Sequence, residues 1–206
     1  MLAPTLAGLA ERAHLATQEV NLTTHILEVA DLLKREALSD VILCGHSYGG
    51  LVVTGAAERV PSGTIGALVY LDAIVPRDGL ALVDYFPPVP EGASGARILP
   101  DLSTGLIPAP EASDFGLPPA LQETVAKRLT PQPLGTFTEP LHLTGMADES
   151  TRRVFVLCTG PSSLPSLAAV ANELRGTPGW RVEVLGCAHD AMIEDPDAVA
   201  AILSRA

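Results

Sequence analysis

Residues 41–50 read VILCGHSYGG. Four apolar residues run directly into Gly45-His46-Ser47-Tyr48-Gly49-Gly50, which sets one hydroxyl among small residues. A short apolar run of this kind is the signature of a strand covered on both faces. Leu51 to Arg59 then reads as a helix, closed by Pro61-Ser62-Gly63. Residues 45–49 therefore fit G-x-S-x-G in the context that motif needs, after a strand and before a helix. On this reading Ser47 occupies a sharp, strained turn. Glycine stands two positions either side because a bulkier residue would clash with the neighbouring strand or helix. The hydroxyl is then held at the carboxyl edge of a sheet, near a helix N-terminus whose dipole favours developing negative charge. The competing reading is a Gly-rich turn that binds a phosphate or merely turns. No GK[ST] makes it a P-loop, and no GxGxxG follows the strand for a dinucleotide.

Around this stretch the chain alternates. Residues 1–22 read as a loop. Thr23 or Thr24 can cap a helix across residues 25–35, where Ile26, Val29 and Leu33 share one face. Ile65 to Leu71 is a second buried strand. From Pro76 to about Gly145 prolines crowd the sequence, which reads as an insertion of loops and short helices without sheet. The rhythm then resumes with a strand Val154 to Cys158, a helix Leu164 to Leu174, a strand Trp180 to Leu185 and a helix Asp190 to Ser204. Strands alternating with helices imply parallel βαβ units and an α/β sheet. Residues 1–75 and 146–206 would form that core, and residues 76–145 the Pro-rich insertion.

Composition narrows the function classes. The 206 residues are 47% hydrophobic and 18% charged, enough for a sizeable core. A net charge of -11 repels phosphate backbones and anionic membranes, so no nucleic-acid or membrane partner is expected. Three cysteines, Cys44, Cys158 and Cys187, sit in apolar runs and read as reduced thiols of a cytoplasmic protein. No His/Cys cluster has zinc spacing, and no metal or other cofactor is expected. The N-terminus lacks the pattern of a signal peptide, and no apolar run is long enough to span a membrane.

A serine nucleophile needs a base and an acid. Of the five histidines, His189 follows the last strand, in VEVLGCAHDAMIEDP. The carboxyl ends of the strands in such a sheet line one crevice, so this loop can bring an imidazole to Ser47. His46 adjoins Ser47, but adjacent residues on the turn point different ways. The bland reading of His189 is a surface residue capping the last helix. For the acid, the loop after strand 154–158 (residues 158–163, CTGPSS) holds no carboxylate. Asp72, at the end of strand 65–71, would also reach the crevice edge, where a buried carboxylate needs a partner. It reads equally as a turn or capping residue. Asp190 and Ser162 are the alternatives.

Together these residues resemble the α/β-hydrolase superfamily. More narrowly, the chain is similar to bacterial esterases related to plant hydroxynitrile lyases and methyl-ester esterases. The matching stretches are APTLAGLAERAHL at 3–15, VNLTTHILEVADLL at 20–33, VILCGHSYGG at 41–50, ALVYLDAIVPRDG at 67–79 and GCAHDAMIEDPDAVAAIL at 186–203. The resemblance implies Ser47 as nucleophile, His189 as base and the Tyr48 backbone N–H as an oxyanion donor. It also implies that residues 76–145 form a cap that selects the substrate. The composition of that cap, with Tyr85, Phe86, Phe115 and Phe137 among many Leu and Pro, suggests an apolar pocket, and the same residues read equally as packing. Two departures stand out. The acid expected after strand 154–158 is absent, which leaves Asp72. The chain also begins where similar proteins have already run through three strands and an HG-containing oxyanion loop. That predicts an N-terminally truncated fold with an unpaired edge on strand 41–44. Such an edge suits a shortened chain, or one that pairs with another copy as a homo-oligomer. The expected activity is hydrolysis of a small apolar ester without a cofactor. The alternatives are a lyase on cyanohydrins and a weakened or non-catalytic remnant.

Overall fold

The computed structural model describes residues 1–86, 103–145, 151–162 and 164–206. Residues 87–102 of the Pro-rich stretch, residues 146–150 at the start of the second core segment, and Ser163 lie outside the described residues.

Four parallel strands form the main sheet, in the order β1 (Val41–His46), β2 (Ile65–Leu71), β5 (Arg152–Cys158) and β6 (Trp180–Leu185). Side chains alternate across it, as strand geometry requires. Leu68 and Tyr70 of β2 and Phe155 and Leu157 of β5 join one core. Ala67, Val69, Leu71, Val154 and Val156 join a second core on the opposite face. The first face is covered by α1 (Leu22–Arg35), α2 (Gly49–Ala57) and α5 (Pro165–Leu174). The second face is covered by α6 (Ala191–Glu194) and α7 (Pro196–Leu203). Helices on both faces of a parallel sheet are what the alternating pattern called for.

Differences from the sequence reading have local causes. The first helix starts earlier, because Asn21 is its N-cap. Asn21 Oδ1 accepts from Thr24 N–H (2.9 Å), and Thr24 Oγ1 accepts from Asn21 N–H (3.3 Å), a reciprocal capping box. The last helix is broken in two. Pro196 cannot donate to the preceding turn, and Asp195 caps α7 by accepting from Ala198 N–H. The N-terminal stretch holds a 3₁₀ turn at Ala10–Leu15. The insertion between β2 and β5 carries α3 (Pro119–Ala126), α4 (Gly135–Thr138) and, against expectation, a small antiparallel ladder. There β3 (Leu106–Ile107) pairs with β4 (Gln132–Pro133), too short to leave a periodic signal. Among the described residues no helix is long and apolar enough to cross a membrane.

Among the described residues β1 is an edge strand, with no partner on its outer side. Its Ile42 is 40% exposed. The opposite edge, β6, differs: it carries Arg181 and Glu183, paired at 3.3 Å.

Candidate active site

The carboxyl ends of the four strands bring three turns together. Ser47 follows β1, Asp72 follows β2 and His189 lies beyond β6. His46 is in register with Leu71, which sets Ser47 beside Asp72 along the crest. Ser47 has φ 53°, and Asp72 has φ 42°. Both therefore hold a left-handed backbone that non-glycine residues rarely adopt, at a cost of order 1–3 kcal/mol each. The Ser47 carbonyl is tied from two sides, accepting from Gly50 N–H (3.2 Å) and Ile74 N–H (3.1 Å).

The glycines around the turn divide differently from the sequence reading. At Gly45 a Cβ would approach the Gly49 carbonyl oxygen to 2.5 Å, so the close approach of β1 to α2 forbids a side chain there. At Gly49 nothing lies within 4 Å. Gly50 is the second obligatory glycine, because a Cβ there would run into the Ile74 carbonyl.

Asp72 and His189 meet. His189 Nδ1–H donates to Asp72 Oδ2 at 2.7 Å, with Asp72 1% and His189 9% exposed. The other carboxylate oxygen, Oδ1, accepts from Cys158 N–H at 2.9 Å. Asp72 thus draws a backbone donor from the end of β5, where the sequence offers no acid of its own. With the proton on Nδ1, His189 Nε2 keeps its lone pair and can accept a proton. Ser47 Oγ has no hydrogen-bond partner among the described residues. Tyr48 N–H, at the start of α2, likewise donates to no acceptor among the described residues. The two alternatives for the acid sit elsewhere. Asp190 Oδ1 lies 3.5 Å from His46 Nε2, and Ser162 Oγ lies near Gly116. Burial holds the Asp190 carboxyl above its ordinary value.

Two further residues, His46 and His25, are not assigned to the site from sequence. His46 Nε2 lies 3.0 Å from the His189 carbonyl oxygen, and the two rings are 4.5 Å apart. Strand alternation was the available signal: Ile42, Cys44 and His46 share the face that the 186–190 loop crosses. His25 is fully buried, with Nε2 2.8 Å from the Ala7 carbonyl and Nδ1 3.0 Å from Tyr48 Oη. A carbonyl only accepts, so Nε2 carries the proton and Nδ1 accepts from the Tyr48 hydroxyl. Burial pushes the His25 imidazole down and the Tyr48 phenol up, so both stay neutral. Its signal was the amphipathic face of α1, where it lies with Leu22, Ile26 and Val29. Phe115 stacks on His189, with 6.2 Å between ring centroids and 7° between planes.

Tyr85 Oη accepts from Arg77 N–H (2.7 Å) while its ring packs on the main core, and Phe86 is 43% exposed. Phe115, another of the expected pocket aromatics, lies on the His189 imidazole from the turn Ala112–Phe115. His46, His189 and Asp190 also offer metal-ligand atoms within 4.8 Å of one another. The His46 nitrogen that faces this group points its proton at a carbonyl, so it presents no lone pair to an ion.

Residues 1–202 match the model of the Alpha/beta hydrolase family, and the chain belongs to that family. Among curated proteins it is similar to the carbendazim hydrolyzing esterase of Nocardioides sp. (strain SG-4G). The two are 38% identical over 208 residues, which cover 97% of this chain and 85% of that protein. Among solved structures, an extracellular α/β-hydrolase from a Paenibacillus species superposes with a TM-score of 0.75 at 23% identity, covering 98% of this chain and 85% of that one. A methylesterase from Arabidopsis superposes with a TM-score of 0.73 at 20% identity, covering 99% and 85%. The two structures share the fold.

Proposed function

We propose that the chain is a serine esterase that cleaves a small, apolar carboxylic ester through an acyl-enzyme. The observation that carries this reading is the His189–Asp72 hydrogen bond, which leaves His189 Nε2 free as a base on the crest that also carries Ser47. His189 takes the Ser47 proton as Oγ attacks the ester carbonyl. The Tyr48 N–H stabilises the oxyanion, and His189 returns the proton to the departing alkoxide. Water then attacks the acyl-serine with His189 again as base, releasing the acid and restoring Ser47. Asp72 holds the imidazole tautomer and stabilises the imidazolium. The similarity to an esterase named for carbendazim makes that compound a sensible test substrate beside p-nitrophenyl acetate. Phe115 and the apolar segment around Leu117 supply a hydrophobic wall beside His189.

The test is turnover of both esters together with labelling by a fluorophosphonate. Wild type is expected to turn over and to be labelled, while Ser47→Ala does neither. Equal behaviour of wild type and Ser47→Ala sinks the reading and favours a non-catalytic protein. Cyanide release from mandelonitrile without ester turnover would indicate lyase chemistry instead.

A further inference from the structure

The proposed ester chemistry leaves His46 without a role. It directly precedes Ser47, yet its side chain reaches across the crest to the backbone of the proposed base. A carbonyl can only accept, so His46 Nε2–H is the donor in the 3.0 Å bond to the His189 oxygen. The same N–H lies 3.5 Å from Asp190 Oδ1, and the two imidazole rings are tilted 46° to each other with centroids 4.5 Å apart. The loop is held at other points by Gly160 N–H on the Cys187 carbonyl (2.8 Å) and by Glu194 on Ala188 N–H (2.6 Å). Neither of those contacts ties it to the turn that carries Ser47.

We propose that His46 is a positioning residue, whose imidazole fastens the backbone of His189 to the Ser47 turn so that nucleophile and base keep one fixed relation. Asp72 sets the rotation of the His189 ring, and His46 sets where that ring stands. The role deepens the esterase reading and rests on it. A donor that stayed charged would oppose it, because His189 becomes a cation during acylation only 4.5 Å away. Burial, with a further push from the His189 charge, holds His46 down to about 3, so it is neutral throughout the working range. Among the described residues, the charged and titratable groups facing it are His189 and Asp190, both from the loop after β6.

Two variants separate positioning from mere packing. His46→Phe keeps a ring of similar size and removes the donor. His46→Gln removes the ring and keeps an N–H at about the same reach. The expected result for His46→Phe is a kcat lower by about 10- to 100-fold with little change in KM, the scale of a misplacement near 1 Å. His46→Gln is expected to recover most of that loss. In the resting protein, the low-field NMR proton of the His189–Asp72 bond should remain sharp in wild type and His46→Gln and broaden in His46→Phe. A His46→Phe enzyme with unchanged kcat and a sharp resonance overturns the proposal. So does a His46→Gln enzyme as impaired as His46→Phe. The NMR readout needs no turnover, so an inactive wild type would remove the esterase reading and still leave this positioning role tested.

Discussion

Asp72 is a single carboxylate with two jobs, since its oxygens accept from His189 Nδ1–H and from Cys158 N–H. Asp72→Asn keeps the shape and offers the imidazole the wrong partner, so kcat should fall by about 10⁴ with the fold intact. Steady-state kinetics and circular dichroism on the same preparation check both halves. His46 also makes a pH prediction. In the folded chain it takes a proton only near pH 3, whereas its ordinary value is 6.5. Between those values the unfolded state binds more protons, so stability falls as pH drops through this window. The contribution is up to about 1.4 kcal/mol per pH unit. Burial of His25 acts in the same direction. Urea midpoints at pH 7, 6 and 5 should decline less steeply in His46→Gln than in wild type. Parallel slopes would show that His46 is not the group responsible.

At the scale of elements, the Ser47 turn is fixed by how closely α2 approaches its surroundings. Gly50 has no room for a methyl group against the Ile74 carbonyl, whereas Gly49 faces open space. Gly50→Ala should cost about 3 kcal/mol or more by forcing α2 off its seat. Gly49→Ala should change stability by less than about 0.5 kcal/mol. Chemical denaturation of the two variants side by side decides this, and a larger loss at Gly49 would refute it. Sequence reasoning located this element and assigned the second glycine one residue too early. The motif names the spacing, but the contact that excludes a side chain comes from Ile74, beyond the end of another strand.

For the whole molecule, the edge of the sheet is the exposed feature. Among the described residues the outer side of β1 is unpaired and bears no charged side chain, unlike β6 with Arg181 and Glu183. Uncharged edge strands pair with other chains, so association through β1 is expected as concentration rises. Ile42→Lys places a charge on that edge and should shift the protein towards monomer in sedimentation velocity. A wild type that stays monomeric at high concentration would exclude the idea.

Much of this was legible in the amino-acid sequence. The alternation of apolar runs and amphipathic stretches specified the parallel sheet and most element boundaries, because burial on two faces leaves a direct imprint on composition. Local chemistry likewise marked Ser47 on its turn and His189 after the last strand. Only the tertiary structure decided the partnerships. Asp72 had no motif to identify it, and its link to His189 depends on which strands lie side by side. His46 was set aside because neighbours in sequence diverge. Strand alternation aims it at a loop 143 positions away, a contact that exists only once the sheet has assembled. Composition marks Phe115 as a cap aromatic, but its place on His189 comes from packing of the irregular Pro-rich insertion, which has no periodic pattern to reveal it. Residue types and their spacing carried the elements and the candidate site residues, while the contacts among those residues came from packing.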